Sequence, residues 1–284
     1  MLQIARRNIK VFFRDRSSVF FSLMAVFIII GLYAVFLGDN LKKGFEGLPG
    51  VDFLLNSWVM AGILSVTAVT TTMGAFGIMV EDRTRKISKD FFSSPLKRSS
   101  LAAGYILSSV VIGILMSLLT FVVAEVYIVL TGGTILPFLD ILKVLGLILL
   151  SVFAGSAMIF FLVTLFKSQN AFATASTVIG TLIGFITGIY MPVGVLPEAV
   201  QWIVKCFPIS HAALLLRQVL TAAPMEATFA GAPAEMARGY AEELGTIFLF
   251  GDTECTVWAS IAVLVGTTIL FYLLSIVSMR RKGK

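Results

Sequence analysis

Charge is scarce in this 284-residue chain: 13% of its residues are Asp, Glu, Lys or Arg, about half the share typical of soluble domains. Histidine occurs once, at His211, and cysteine twice, at Cys206 and Cys255. No Cys/His ligand set for zinc can therefore be assembled. A Ser-His-Asp relay would have to use His211, with nothing nearby in the sequence to orient it. No G-x-x-x-x-G-K-[ST] phosphate loop occurs, so the chain has no such nucleotide site of its own. Nor does any polar stretch between apolar runs have the length of a catalytic domain. An aqueous globular enzyme is excluded.

What fills the chain is apolar sequence of bilayer length. A helix needs roughly 20 mostly apolar residues to cross the hydrocarbon core, and six runs qualify: 17–37, 54–80, 101–130, 139–166, 171–191 and 255–279. They are continuously apolar and lack period-2 alternation, which predicts helices rather than a barrel. The expected fold is an all-α membrane protein of six spans in a single domain, 1–284. The first run is too long for a cleaved signal, and no A-x-A site follows it.

The net charge of +6 is distributed by topology. Alternate connections hold 16 of the 22 basic residues: before the first run, between the second and third, at Lys167, and after the sixth. The positive-inside rule places these connections, and both termini, in the cytoplasm. The bias is not a nucleic-acid footprint. Ahead of the first run, 1–16 predicts an amphipathic helix in the headgroup layer. Leu2, Ala5, Ile9, Phe12 and Phe13 share one face, and Gln3, Arg6, Arg7, Lys10 and Arg14 the other.

The long connection 192–254 begins with apolar sequence punctuated by Pro192, Pro197, Pro208, His211 and Arg217. A seventh crossing there would put the C-terminal basic cluster outside. Two short segments, 196–206 and 209–220, instead fit an outer re-entrant helical hairpin, whose backbone must be buried in protein or line a wet cavity. The remainder, 223–254, holds six acids against one base and reads as an exposed acidic cap. Cys206 and Cys255 both fall on this side, where a disulfide and two free thiols are both open readings.

Four features carry candidate function. The inner loop 81–98 has Glu81 and Asp82 placed to start a helix, then Arg83, Arg85 and Lys86, with Phe91 and Phe92 as an apolar aspect; it is either a docking helix for a partner or a topological anchor. Thr67 and Thr71, in a hydroxyl-rich second run, either bond to their own helix or line a pathway. Gly180, Gly184 and Gly188 recur every four residues and permit close helix contact, static or gating. Glu125 is the one acid deep in an apolar run, and Lys143 lies at similar depth across a turn, so a Glu125–Lys143 pair is expected.

The loop EDRTRKISKDFFSSPLKRSSLAAGY resembles the connection between spans two and three of type-2 ATP-binding-cassette (ABC) exporter permeases. Glu81, Arg83, Ser94, Pro95, Leu96, Arg98, Leu101 and Gly104 stand in the matching places. The stretch TGIYMPVGVLPEAVQWIVKCFPISHAALLLRQ is similar to the family's sequence after span five, with Pro192, Leu196, Pro197, Pro208, Ile209, His211 and Arg217 matching. The family's usual glycine after the basic residues is missing around 85–88. The resemblance implies a coupling helix at 81–92 that receives motion from a separate cytoplasmic ABC ATPase subunit, on which ATP and magnesium are expected. It also implies a second permease copy, or a related permease, flanking one pathway. No cofactor is expected in this chain. Outer connections without a large domain suit export of an amphipathic drug, antibiotic or lipid; a lipid-linked glycan is the next candidate. The rival class is an ion-gradient-driven transporter, which needs paired acids near the midplane.

Overall fold

A computed structural model describes residues 1–33, 35, 38–45, 47–87, 98–166 and 168–281. The chain is nearly all-α. Its helices are α1 (Leu2–Arg14), α2 (Arg16–Leu32), α3 (Gly38–Lys42), α4 (Val51–Thr84), α5 (Arg98–Leu130), α6 (Phe138–Leu165), α7 (Gln169–Ile186), α8 (Glu198–Cys206), α9 (Pro208–Leu220), α10 (Ala222–Thr228), α11 (Ala234–Glu243) and α12 (Val257–Arg281). A two-residue hairpin, β1 (Leu249–Phe250) and β2 (Thr253–Glu254), precedes α12.

Among the described residues, five helices are long and apolar enough to cross a membrane alone: α4, α5, α6, α7 and α12. The count rises to seven if each of two bent pairs is one span. In the first pair α1 and α2 meet at 76° across Asp15, whose carboxylate accepts from Ser17 N (3.1 Å) and Ser18 Oγ (2.6 Å). That cap starts α2 afresh instead of continuing α1.

Helix α4 is the axis of the bundle. It packs most extensively on α5, then on α6, α9 and α7, and 78% of its apolar window is buried, against 17% for α7 and 22% for α12. Small residues let neighbours close on it. A Cβ on Gly113 of α5 would lie 2.8 Å from both Thr72 of α4 and Val152 of α6. At the far side α12 lies along α6, with Phe161 edge-on to Phe271 at 5.6 Å.

The contacts at helix ends define two ends of the bundle. Asp82, Tyr105, Phe166 and Ser278 gather with α1 at one, through the bonds Arg7–Asp82, Arg83–Phe166 and Thr164–Ser278; this is called the basic end. Both the first helix and the last turn of α12 lie here. At the other, the cap end, Trp58 reaches Leu244, Asn56 reaches Thr131, Arg217 reaches Gly188 and His211 reaches Ser260. Helices α4 to α7 therefore alternate in direction, and the segment between α7 and α12 leaves from and returns to the cap end.

Several expectations change. The fifth run was expected to stay helical to 191, but α7 stops at Ile186, because Gly188 takes a left-handed φ of +67° that ends a helix. The paired short segments are α8 and α9, which meet at 89° where Phe207 is extended and Pro208 starts α9. The cap is not merely solvated: Leu244 and Phe248 are buried, and Tyr240 stacks on Phe45 at 4.6 Å while donating to Gly44 O at 3.0 Å. Helix α1 buries Ile4, Ala5, Asn8 and Phe12, chiefly against α5, whereas Leu2 and Phe13 of the expected apolar face are exposed. The face that α1 buries in the protein is therefore Ile4, Ala5, Asn8 and Phe12, not the whole apolar face expected.

Gly104 makes that docking possible. A Cβ there would sit 2.8 Å from Ile4 and 3.2 Å from the Met1 carbonyl. Gly104→Ala should therefore lift α1, costing roughly 1–3 kcal/mol. Tryptic cleavage at Arg14 and Arg16 of the purified protein should accelerate several-fold. Unchanged cleavage and melting temperature would show that α1 does not depend on this contact.

Candidate functional site

The polar cluster at the basic end is built on the last turn of α4. An acid there opposes the helix dipole, and Asp82 is 2% exposed, so its charge demands partners. It has three donors. Arg7 of α1 grips it with both terminal nitrogens, Nη2 to Oδ1 at 2.8 Å and Nη1 to Oδ2, in the fork geometry guanidinium favours. Tyr105 of α5 donates its hydroxyl at 2.6 Å. Arg7 Nη1 also donates to Asn8 Oδ1 (3.0 Å), Asn8 donates to Ser108 Oγ (3.3 Å), and Ser108 donates to the Tyr105 carbonyl (2.9 Å). The bonds to Asp82 push the Arg7 guanidinium further above its ordinary value, so it stays charged. Three helices are thus locked by one buried carboxylate.

Its neighbour Arg83 faces the other way. Arg83 Nη1 donates to the Phe166 carbonyl at 2.8 Å and Val163 O at 3.4 Å, satisfying orphan carbonyls at the end of α6. Glu81 pairs with Arg85 at 2.8 Å on the exposed side, an i,i+4 pair of about 0.3–0.5 kcal/mol. Lys86 follows with φ +63°, the left-handed conformation that suits the glycine missing at this point of the sequence; a side chain there costs roughly 1–2 kcal/mol.

The expected helix start at Glu81 and Asp82 is therefore corrected: both lie in the final turn of α4. At 1.5 Å per residue its 34 residues span about 51 Å, well beyond a ~30 Å hydrocarbon core. Arg7 and Arg85 offset the unfavourable position of the two acids. Phe91 and Phe92 lie outside the described residues.

A second cluster lies at the cap end around Arg217 of α9, whose side chain is wholly buried. Its Nη2 donates to Gly188 O at 2.9 Å, and the guanidinium lies 4.6 Å from the Trp58 ring centroid, a cation–π contact strengthened by exclusion of water. Trp58 Nε1 in turn donates to the Leu244 carbonyl at 2.6 Å. The cap end of α4 is so joined to the turn after α7 and to the cap. His211, contrary to expectation, is well oriented. Its Nε2 must donate to the Lys205 carbonyl (3.0 Å), which can only accept, leaving Nδ1 of the neutral ring to accept from Ser260 Oγ (3.0 Å). The prolines punctuate: Pro192 and Pro197 precede a 3-10 turn and α8, and Pro208 is the first residue of α9. Cys206 and Cys255 are free thiols.

Other predicted residues do not assemble. Thr67 and Thr71 are buried and donate to Ile63 O (2.8 Å) and Thr67 O (2.7 Å) of their own helix. Gly180, Gly184 and Gly188 do not form one stripe. Gly180 faces open space, Gly184 is covered by Tyr190, and Gly188 is in the turn. The Glu125–Lys143 pair is absent. Lys143 pairs with Asp140 at 2.7 Å, one turn away on α6, and Glu125 Oε2 accepts from Leu136 N at 3.1 Å. The 131–137 turn folds back on α5, so a backbone N–H reaches the acid before any lysine does.

Sequence reasoning missed Arg7 as a site residue, and Asn8, Tyr105, Ser108 and Trp58 altogether. The available signal was Asp82 itself: an acid closing a long apolar run requires a cation, and α1 is the nearest basic helix.

A family model described as ABC-2 family transporter protein matches residues 32–277. No curated protein matches the chain.

Arg7→Ala strands the Asp82 carboxylate on Tyr105 alone. Because Arg7 is part-exposed, the loss should fall at the lower end of the roughly 3–5 kcal/mol for breaking a buried pair. Thermal unfolding of the Arg7→Ala, Asp82→Ala and double variants should show the double costing less than the sum of the singles; strict additivity would refute the clamp. Trp58→Phe should cost about 1–3 kcal/mol by orphaning the Leu244 carbonyl, read as a lowered melting temperature.

Proposed function

The chain belongs to the ABC-2 transporter family, and on that premise we propose that it is the membrane-spanning permease subunit of an ABC exporter, moving an amphipathic drug, antibiotic or lipid-like substrate outward. The observation that carries the reading is the Asp82 clamp. It makes α1, α4 and α5 one block at the end of α4 from which the connection to α5 departs, and Arg83 extends that block to α6. A push on the loop reaches α4, and α4 is in contact with nearly everything else in the bundle. In this reading the push comes from a separate cytoplasmic ATPase subunit, where ATP and magnesium bind, and this chain catalyses nothing.

The basic end then faces the cytoplasm with both termini, in keeping with the positive-inside bias of Arg6, Arg14, Arg83 and Arg85. The membrane is crossed six times, by α2, α4, α5, α6, α7 and α12, and α8 with α9 forms a re-entrant hairpin. The return of the α8–α9 segment to the end it left supports this count. A second permease copy covers α7, which is little buried and exposes Val178, Leu182 and Phe185; Gly180, with open space above it, suits close approach of another helix. An ion-gradient mechanism is disfavoured, because Glu125 is held beside the 131–137 turn at the cap end and not paired near the midplane.

The test is co-purification with a candidate ATPase, followed by hydrolysis assays with amphipathic substrates. The complex should form with wild-type and Arg7→Ala chains alike, but substrate-stimulated hydrolysis should fall at least fivefold in Arg7→Ala. Transport by the purified chain alone in liposomes, without ATP, would refute the proposal.

A further inference from the structure

At the cap end, α8, the β1–β2 hairpin and the first turns of α12 enclose an open cavity of about 570 Å³. Its wall is mostly apolar, with Phe250, Ala259 and Val263 among the lining residues. Two of its lining residues, Lys205 and Glu254, carry opposite charges. Lys205 has no ion-pair partner among the described residues, and Glu254 has only Arg238 Nη2 at 3.9 Å, at the limit of a salt bridge. Both charges are therefore available to a ligand.

The depth of this cavity is set by tryptophan. Trp258, the second residue of α12, is 79% exposed, and Trp202 and Ile203 of α8 are 44% and 64% exposed. Exposed indoles at the start of a membrane-length helix belong at the headgroup level, where an apolar ring and a polar N–H are both satisfied. Trp202 also rests edge-on against Phe250 at 5.6 Å, so the lipid-facing patch and the cavity wall are continuous. Helix α8 turns Val204 inward and Trp202 and Ile203 outward, as an interfacial helix does.

From these observations we infer that the cavity holds one amine-bearing, zwitterionic phospholipid of the leaflet at the cap end. The phosphate is paired with the Lys205 ammonium, and the headgroup amine with the Glu254 carboxylate. An acyl chain runs along Phe250, Ala259 and Val263 and leaves beside the start of α12. A single anionic headgroup would face the Glu254 carboxylate unpaired, and a quaternary choline offers that carboxylate no N–H donor. The inference needs only that the chain sits in a bilayer; it does not rest on ATP-driven export.

The cavity supplies its own reporters, because its lining includes Cys206 and Cys255, the two cysteines of the chain. The full-length protein, purified in detergent, is titrated with phosphatidylethanolamine, phosphatidylcholine or phosphatidylglycerol. Retained lipid is counted by native mass spectrometry, and maleimide labelling of the exposed Cys206 is timed. One phosphatidylethanolamine per chain should be retained, at least tenfold in preference to the other two, with labelling slowed at least fivefold. Lys205→Ala and Glu254→Gln should each lower occupancy at least fivefold; only the Lys205 carbonyl, which truncation leaves in place, bonds to His211. Arg238→Ala removes the same long ion pair as Glu254→Gln but leaves the carboxylate, so it should bind as wild type. Equal retention of the three lipids, or wild-type occupancy in Lys205→Ala or Glu254→Gln, would overturn the inference. Loss of binding in Arg238→Ala would overturn the assignment of the amine to Glu254.

Discussion

Asp82 closes a 34-residue helix whose apolar window is more deeply enclosed than that of any other described span. A carboxylate in that position, at the negative end of the dipole and shut away from water, is stable only when fully partnered. Its two partners come from different helices, α1 and α5, and each brings a neighbour: Asn8 with Arg7, and the Ser108 bond to the Tyr105 backbone. The position of α1 follows from this requirement. Ile4 of the same helix lies close on Gly104 of α5.

The cap end solves a comparable problem with different chemistry. Arg217 is buried without a carboxylate among its bonds. Among the described residues, Nη2 donates to the Gly188 carbonyl and the guanidinium lies over the Trp58 indole, while Nε has no hydrogen-bond partner. Backbone dipoles and a ring quadrupole hold a cation without a counter-ion that would itself need desolvating. Both ends of α4 are thereby tied, one to the amino-terminal helix and the other to the cap, and between them its hydroxyls bond only to their own helix. By contrast α7 and α12 leave broad apolar faces bare, where the surroundings of the chain, lipid or protein, must supply the contact.

Much of the fold was legible because it depends on local composition. Apolar runs of bilayer length become helices wherever backbone bonds must be met internally, and the proline-marked breaks at 192, 197 and 208 fall where turns and helices begin. Errors arose where the pattern of residue types suggested one partner or conformation and the packing or a local turn supplied another. Glu81 and Asp82 carry the local signature of a helix start, yet at a helix end Asp82 is met by Arg7, some 75 residues away, and Glu81 by Arg85. Glu125 and Lys143 are matched in depth, but each found a nearer bond. The glycines at 180, 184 and 188 have the right period for one face, and the left-handed turn at Gly188 removes the last of them from the helix.

The amino-acid order alone determined that this chain is a helical membrane protein with its basic residues gathered in alternate connections, because hydropathy and charge act residue by residue on transfer from water to lipid. Only the tertiary structure decided which polar groups meet, which face of α1 is buried and which helices remain bare. Those outcomes depend on distances of a few ångströms between segments far apart in the chain, and a buried charge accepts whichever partner the packing brings within reach.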